Sequence, residues 1–394
     1  ISTRDWSSDV CSSDLSGPLS DLSGGTFRPI ATPISFSGIS QATLDLFSRE
    51  ISSAGLVPVS APAGSAVVGG VKTSDSQTLS GGKSITVLLA RGDYTLAASG
   101  TVTLRDGNRI YAFGHKFLAI GGTDAPMLES SVVGVVPSLN NSFKVTVPGE
   151  MVGAISQDRQ LGVLGTLGAT PKMIPVSIRF KNSLGRSAEY KFEMVTDEFL
   201  SPLLLNIGAA NAILANERSI GELTIELSSK IILESGKEMS VSRRTSGQAA
   251  VPAASLSVAM PLSTLLSSRF EGASVKEIKV ELAASEGKDE GVIARVVTDR
   301  QDVRAGDSVR VTTVIEGAGG RETRQEFNVT VPKDTPEGEL TFTVADGASI
   351  ERDALSDKVQ TANIDEFLAF VNGMRRGDNL YLQVSRGSLG ATVG

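Results

Sequence analysis

Between residues 84 and 245 the chain keeps returning to one pattern: a short run of alternating apolar and polar residues, then a turn. SITVLLA, LAASGTVTL, RIYAF, VVGVV, FKVTV, IPVSIRF, YKFEMVT and ELTIEL each suit a strand that buries one face. Asp106-Gly107, between TVTL and RIYAF, is a hairpin signal, because glycine accepts the positive φ that such a turn requires. The composition agrees: 41 glycines and only 5% aromatic residues in a 394-residue chain favour many short strands over helical bundles. The spacing therefore predicts a mainly β fold with few helices.

Around this block the chain divides by composition. Residues 1–15, ISTRDWSSDVCSSDL, hold the only Cys and the only Trp and resemble translated sequencing-adapter read-through rather than a signal peptide, since they lack a basic start and an apolar run. Residues 16–83 read as a connecting region with one helix, capped by Ser40, with Leu44, Phe47 and Ile51 on its apolar face and Gly55 as its stop. Residues 84–245 form the main β domain. One helix interrupts it, with Ser201 as cap, Pro202 in the first turn and Leu203, Ile207, Ala210 and Leu214 as its buried face. Residues 246–274 read as a linker and 275–350 as an immunoglobulin-like β-sandwich, from the alternation in DSVRVTTVIEG, RQEFNVTVP and GELTFTVADG. Residues 351–394 read as a tail of one helix capped by Asn363, closed by Arg375, Arg376 and Gly377, and one strand.

Composition also narrows the chemistry. A net charge of −7 with scattered Lys and Arg gives no basic stripe, so no nucleic-acid partner is expected. No apolar run reaches bilayer length; the strongest, Leu203 to Leu214, is broken by Asn206 and Asn211, so no membrane span is expected. A zinc site needs several Cys and His ligands, and one His with one Cys, in the foreign-looking opening, does not supply them. GVLGTLG at 162–168 lacks the Lys-Ser/Thr of a phosphate-binding loop and reads as turn glycines. Asp289 with Glu290, and Asp299 with Asp302, read as solvated loops rather than calcium ligands. No cofactor or metal is expected.

What survives is His115, the only histidine, in YAFGHKFLAIGG. It is either a packed ring or the base of a catalytic pair. Gly114 lets the backbone turn sharply before it, and the β-branched GTVT strand upstream would hold it rigidly. Asp158, in Ser156-Gln157-Asp158-Arg159, is the nearest candidate for a carboxylate that orients an imidazole, with a structural Asp-Arg pair as the alternative.

Gly100-Thr101-Val102-Thr103, Asp106-Gly107, Ala112-Phe113-Gly114-His115, Pro148-Gly149-Glu150 and Gly162-Val163-Leu164-Gly165-Thr166-Leu167 together resemble serine peptidases of the stage IV sporulation protein B type. PSLNNSFKV and GAISQDRQLGVLGTLGATPKMIPVSI resemble its exported branch in acidobacteria and similar bacteria. The likeness covers roughly residues 26 to 245 and extends to the later sandwich block. It implies a trypsin-like β-barrel, a Ser-His-Asp mechanism and a polypeptide substrate, with His115 as general base. The Gly-x-Ser-Gly-Ser-Pro serine motif does not occur in the sequence. In that branch the serine half lies upstream, so the resemblance implies a fragment whose partner is the missing N-terminal half of the same protein, in the periplasm or secreted. Lys116 stands where the branch usually has proline, and a cation there would lower the imidazole pKa if both faced one cleft. The alternative is a non-catalytic exported β-rich scaffold or adhesion module.

Overall fold

The computed structural model describes residues 32–60, 69–137, 143–217, 221–355 and 361–386. The fold is mainly β, as expected. The adapter-like segment 1–15 lies outside the described residues. In chain order the elements are β1 (Thr32–Ser37), α1 (Gln41–Leu46), α2 (Ser48–Ser53), β2 (Leu56–Ser60), β3 (Ser84–Gly92), β4 (Thr95–Asp106), β5 (Arg109–Ala112), β6 (Gly121–Val136), β7 (Phe143–Arg159) and β8 (Gly162–Leu167). There follow β9 (Met173–Lys181), β10 (Ser187–Val195), α3 (Leu200–Leu214), β11 (Leu223–Leu233), β12 (Glu238–Gly247), α4 (Ala250–Ser267) and β13 (Val275–Glu286). The last are β14 (Val292–Thr298), β15 (Ser308–Glu316), β16 (Glu322–Thr330), β17 (Leu340–Asp346), α5 (Gly347–Leu355), α6 (Ile364–Asn372) and β18 (Leu380–Arg386).

Strands β3 to β8 close on themselves. β3 pairs with β4, β4 with β5, β5 with β8, β8 with β7, β7 with β6, and β6 returns to β3, every pair antiparallel. Closure removes the unpaired edges that an open sheet exposes. The interior is filled by Ile85, Val87, Val102, Ile110, Met127, Val152, Ile155 and Val163, all buried. The expected hairpin is there: Asp106 faces Arg109, and Gly107 takes φ +57. Of the GVLGTLG glycines, expected to be turn glycines, Gly168 does turn, at φ +80, whereas Gly162 and Gly165 belong to strand β8, whose burial alternates. Its glycines clear space: a β-carbon at Gly162 would lie 2.6 Å from the Ala112 carbonyl oxygen, and one at Gly165 would strike the Met127 sulfur.

A second sheet runs β10-β9-β13-β11-β12, joined to the barrel through β3. β13 pairs parallel with β9; the other pairs are antiparallel. Its buried residues alternate along each strand, as in Ile174, Val176, Ile178 and Phe180 of β9, while its other face carries ion pairs such as Arg179–Glu189 and Lys230–Glu238. The 246–274 segment, read as a linker, contains α4, whose Ala254, Val258, Leu262 and Leu265 are buried in the main core. The reading failed because Ala and Ser dominate the start of this helix, and burial rather than polarity decides its fate. α4 has the length and, at a mean hydropathy of 1.4, the composition of a membrane span, which the sequence was not expected to contain; 44% of it is buried within the fold.

Helix α3 is buried almost all round, and Leu203 and Leu214 are only half-buried. Its start is capped by Asp197 Oδ1, which accepts from Phe199 N and Leu200 N, while Ser201 Oγ donates to the Val195 carbonyl. The Ser40 and Asn363 caps form as expected, accepting from Thr43 N and Glu366 N. The first helix is broken at Phe47 into α1 and α2, and Leu44, Phe47 and Ile51 are all buried. Within 69–83, read as part of a connection, Leu79 is fully enclosed and Asp75 Oδ1 accepts from Gln77 N and Thr78 N.

Of the expected 275–350 sandwich, β13 belongs to the main sheet. β14, β15 and β16 form one small sheet, and β17 pairs with β18 from the tail in another. Val309, Val311 and Val331 share a small core with Phe327, Phe342, Val344 and Leu382 from both.

The outer half of the β6–β7 ribbon leans across the outside of β3 and β4 with its polar side inward. Ser130 Oγ donates to Ser84 Oγ at 2.9 Å, Thr146 Oγ1 lies 2.6 Å from Ser99 Oγ, and Lys144 Nζ reaches Gly100 and Thr101. Val133, Val135, Val145 and Val147 are left exposed.

Candidate functional site

His115 sits in the connection from β5 to β6, at one end of the closed ring. Two consecutive residues in the left-handed region, Phe113 (φ +75) and Gly114 (φ +73), turn the chain immediately before it. A phenylalanine rarely adopts that conformation, so its surroundings must hold it there. Phe113 N donates to the Thr101 carbonyl at 2.9 Å. The ring lies where a β-carbon at Gly100 would be, 2.7 Å from its Cδ2, so Gly100 is the space that admits it. Phe113 then packs against Phe117, which is buried, with ring centroids 5.6 Å apart and tilted by 35°, and meets the His115 ring edge-on at 5.7 Å. Two of the glycines in the motifs quoted for the resemblance, Gly100 and Gly162, thus have one local purpose: each makes room for the β5 end and the turn that present His115.

The far side of the loop is held by Asp158 of β7. Its carboxylate is 1% exposed and accepts from Phe117 N at 3.1 Å through Oδ1 and from Leu118 N at 2.7 Å through Oδ2. These are charge-assisted bonds to backbone amides that have no strand partner. Asp158 therefore fixes the loop rather than the imidazole, and among the described residues it forms no ion pair with Arg159. Both sequence readings of Asp158 chose the wrong partner.

The imidazole is exposed. Its Nδ1 lies 2.7 Å from the Lys116 carbonyl oxygen. A carbonyl can only accept, so Nδ1 carries the proton in the neutral ring and the lone pair sits on Nε2. Among the described residues Nε2 has no hydrogen-bond partner. The Lys116 carbonyl orients the ring as a carboxylate would, at lower strength. Two concavities, one lined by Arg91, Lys191 and Glu277 and the other by Arg179, Arg243 and Arg376, lie on the second sheet, and no residue of the His115 loop lines either.

No three His, Cys, Asp or Glu side chains gather as metal ligands among the described residues. The acidic pairs singled out in the sequence are engaged elsewhere: Asp289 with Arg244, Glu290 with Lys288, and Asp299 Oδ1 with Arg310 N. Because His115 is exposed and bonded only within its own loop, His115→Ala should cost less than about 0.5 kcal/mol, with a urea midpoint that matches the parent chain. A loss of several kcal/mol would make the imidazole a packing group. Compared with known protein families, curated proteins and solved structures, the chain has no match.

Proposed function

We propose that this chain is the histidine half of a serine peptidase of the stage IV sporulation protein B type, exported from a bacterial cell, with His115 as general base toward a serine hydroxyl supplied by an upstream half of the same protein. One observation carries the reading: Nδ1 of the exposed His115 is bound to a carbonyl in a loop that Asp158 holds, so Nε2 keeps the lone pair that a general base needs. The closed antiparallel ring β3–β8 supports it as the barrel that the resemblance implies. In the reaction Nε2 takes the serine proton as Oγ attacks the peptide carbonyl, then returns it to the leaving amine. Asp158 is a positioning residue here, since it holds the loop on which His115 stands.

A base without a hydroxyl and oxyanion donors activates nothing, so the chain alone should show no labelling by a fluorophosphonate probe. Adding the upstream half, fused or in trans, should restore labelling, and His115→Ala should abolish it. Labelling of the chain alone, or an unlabelled but folded pair, would overturn the reading, and the second outcome would favour a scaffold or adhesion module.

A further inference from the structure

The outside of the closed ring carries an apolar row that runs up to the His115 turn. Leu104 of β4 faces Tyr111 of β5, Tyr111 faces Leu164 of β8, and residues directly opposite on paired strands share a face. Ile110, Ala112 and Val163 are buried in the core, so the row that alternates with them points out. Leu104 is 56% exposed and Tyr111 36%, while Leu164 is half-buried. Leu161, in the turn from β7 to β8, is 88% exposed and carries the apolar surface onto the His115 turn, since a β-carbon on its neighbour Gly162 would lie 3.5 Å from Gly114 N. Single exposed apolar side chains are ordinary, but neighbours abreast on one face mark a contact surface. Of the four tyrosines, Tyr111 alone is exposed. Cations flank the row. Arg109 stands two residues along β5 from Tyr111 on the same face, and Arg159, which pairs with Gly162, and Lys116 stand at the His115 end. All three are exposed, and among the described residues none forms an ion pair. The positions adjoining the row thus hold three cations against one carboxylate, Asp106 opposite Arg109, in a chain whose net charge is −7. A tyrosine among leucines, with arginines at the rim, has the composition of a binding surface, because Tyr and Arg are the residue types that dominate interface energies.

We propose that this surface binds acidic polypeptide segments, whose apolar side chains cover Leu104, Tyr111 and Leu164 and whose carboxylates meet Arg109 on one side and Arg159 and Lys116 on the other. Covering the row supplies the affinity, and the cations choose the partner, because they attract a carboxylate and reject a lysine. A nucleic acid would answer the cations but leave the leucines uncovered. A segment held this way ends beside the exposed His115 ring. The proposal stands apart from the peptidase reading, because it concerns binding and its test needs neither a serine nor cleavage.

The test is fluorescence anisotropy of the intact chain with a fluorescein-labelled Glu-Leu-Phe-Leu-Glu peptide, its Lys-Leu-Phe-Leu-Lys and Glu-Ser-Ser-Ser-Glu counterparts, and a labelled oligothymidine. The acidic apolar peptide should bind about tenfold or more tighter than each of the others, and more weakly as salt is raised. Tyr111→Ser and Leu104→Ser, both at exposed positions, should each weaken it about fivefold or more, and Arg109→Glu together with Arg159→Glu should reverse the preference between the acidic and basic peptides, with urea midpoints showing that the variants fold. No binding of the acidic apolar peptide, equal or tighter binding of any comparison ligand, or unchanged binding by a folded Tyr111→Ser or Leu104→Ser chain would overturn the proposal. So would a dimer of the parent chain that either serine variant turns into a monomer, since the row would then be covered by a second copy.

Discussion

Gly153→Ala should lower the stability of the chain by about 3 kcal/mol, at the upper end for added volume in a close-packed site. Gly153 of β7 lies between Met127 of β6 and Leu167 of β8. A β-carbon there would collide with the Thr166 carbonyl oxygen and lie 2.8 Å from Met127 Cε and 3.0 Å from the Leu167 Cα. Met127 can bend away. The Thr166 and Leu167 contacts are backbone and can yield only if β8 parts from β7, which opens the ring. Gly134→Ala is the control, because nothing lies within 4 Å of a β-carbon there, and it should shift stability by less than about 0.5 kcal/mol. Urea unfolding of the two variants side by side decides it: a loss below about 1 kcal/mol at Gly153 would mean that the ring tolerates opening at this seam.

The second large effect should come from Asp158→Ala, which leaves the Phe117 and Leu118 amides without acceptors behind the loop. Hydrogen bonds to a charged group contribute about 1.5–3 kcal/mol each, so the substitution should cost roughly 3 kcal/mol, and Asp158→Asn, which keeps one acceptor oxygen, about half as much. The Phe117 and Leu118 amides should also exchange their protons faster in both variants. In the reconstituted pair, Asp158→Asn should slow labelling without abolishing it, because the imidazole keeps its Lys116 carbonyl. Unchanged exchange at both amides would show that another group holds the loop.

Local features were legible in the sequence where one residue's chemistry decides the outcome. Ser40 and Asn363 cap helices because a short polar side chain bonds an orphan amide, and Gly107 turns a hairpin because it lacks a β-carbon. Features that depend on distant strands were not. Whether Gly165 marks a turn or a crowded strand depends on Met127, and whether 246–274 is a linker or a helix depends on the apolar faces of β11 and β12. The same limit applied at the site. His115 stood out as the lone imidazole, and Asp158 was noticed as a carboxylate, but its true partners are two backbone amides that have no sequence signature. The lean of the β6–β7 ribbon gave no signal at all: FKVTV reads as an ordinary strand, and only the fold turns Lys144 inward and leaves Val145 and Val147 exposed.

Two strands divide their lengths between partners. Ile85–Val87 of β3 pair with β6 in the ring, while Ala90–Gly92 of the same strand pair with β10. Likewise Val102–Asp106 of β4 pair with β5, and Thr95–Ala97 pair with β1. Neither sheet can dissolve without stripping hydrogen bonds from the other, and a single continuous apolar core runs beneath both. The barrel, the second sheet and the helices between them consequently make up one cooperative unfolding unit, while β14 to β16 and the β17–β18 pair, which share no strand with it and have their own small core, can open at a lower free energy of their own.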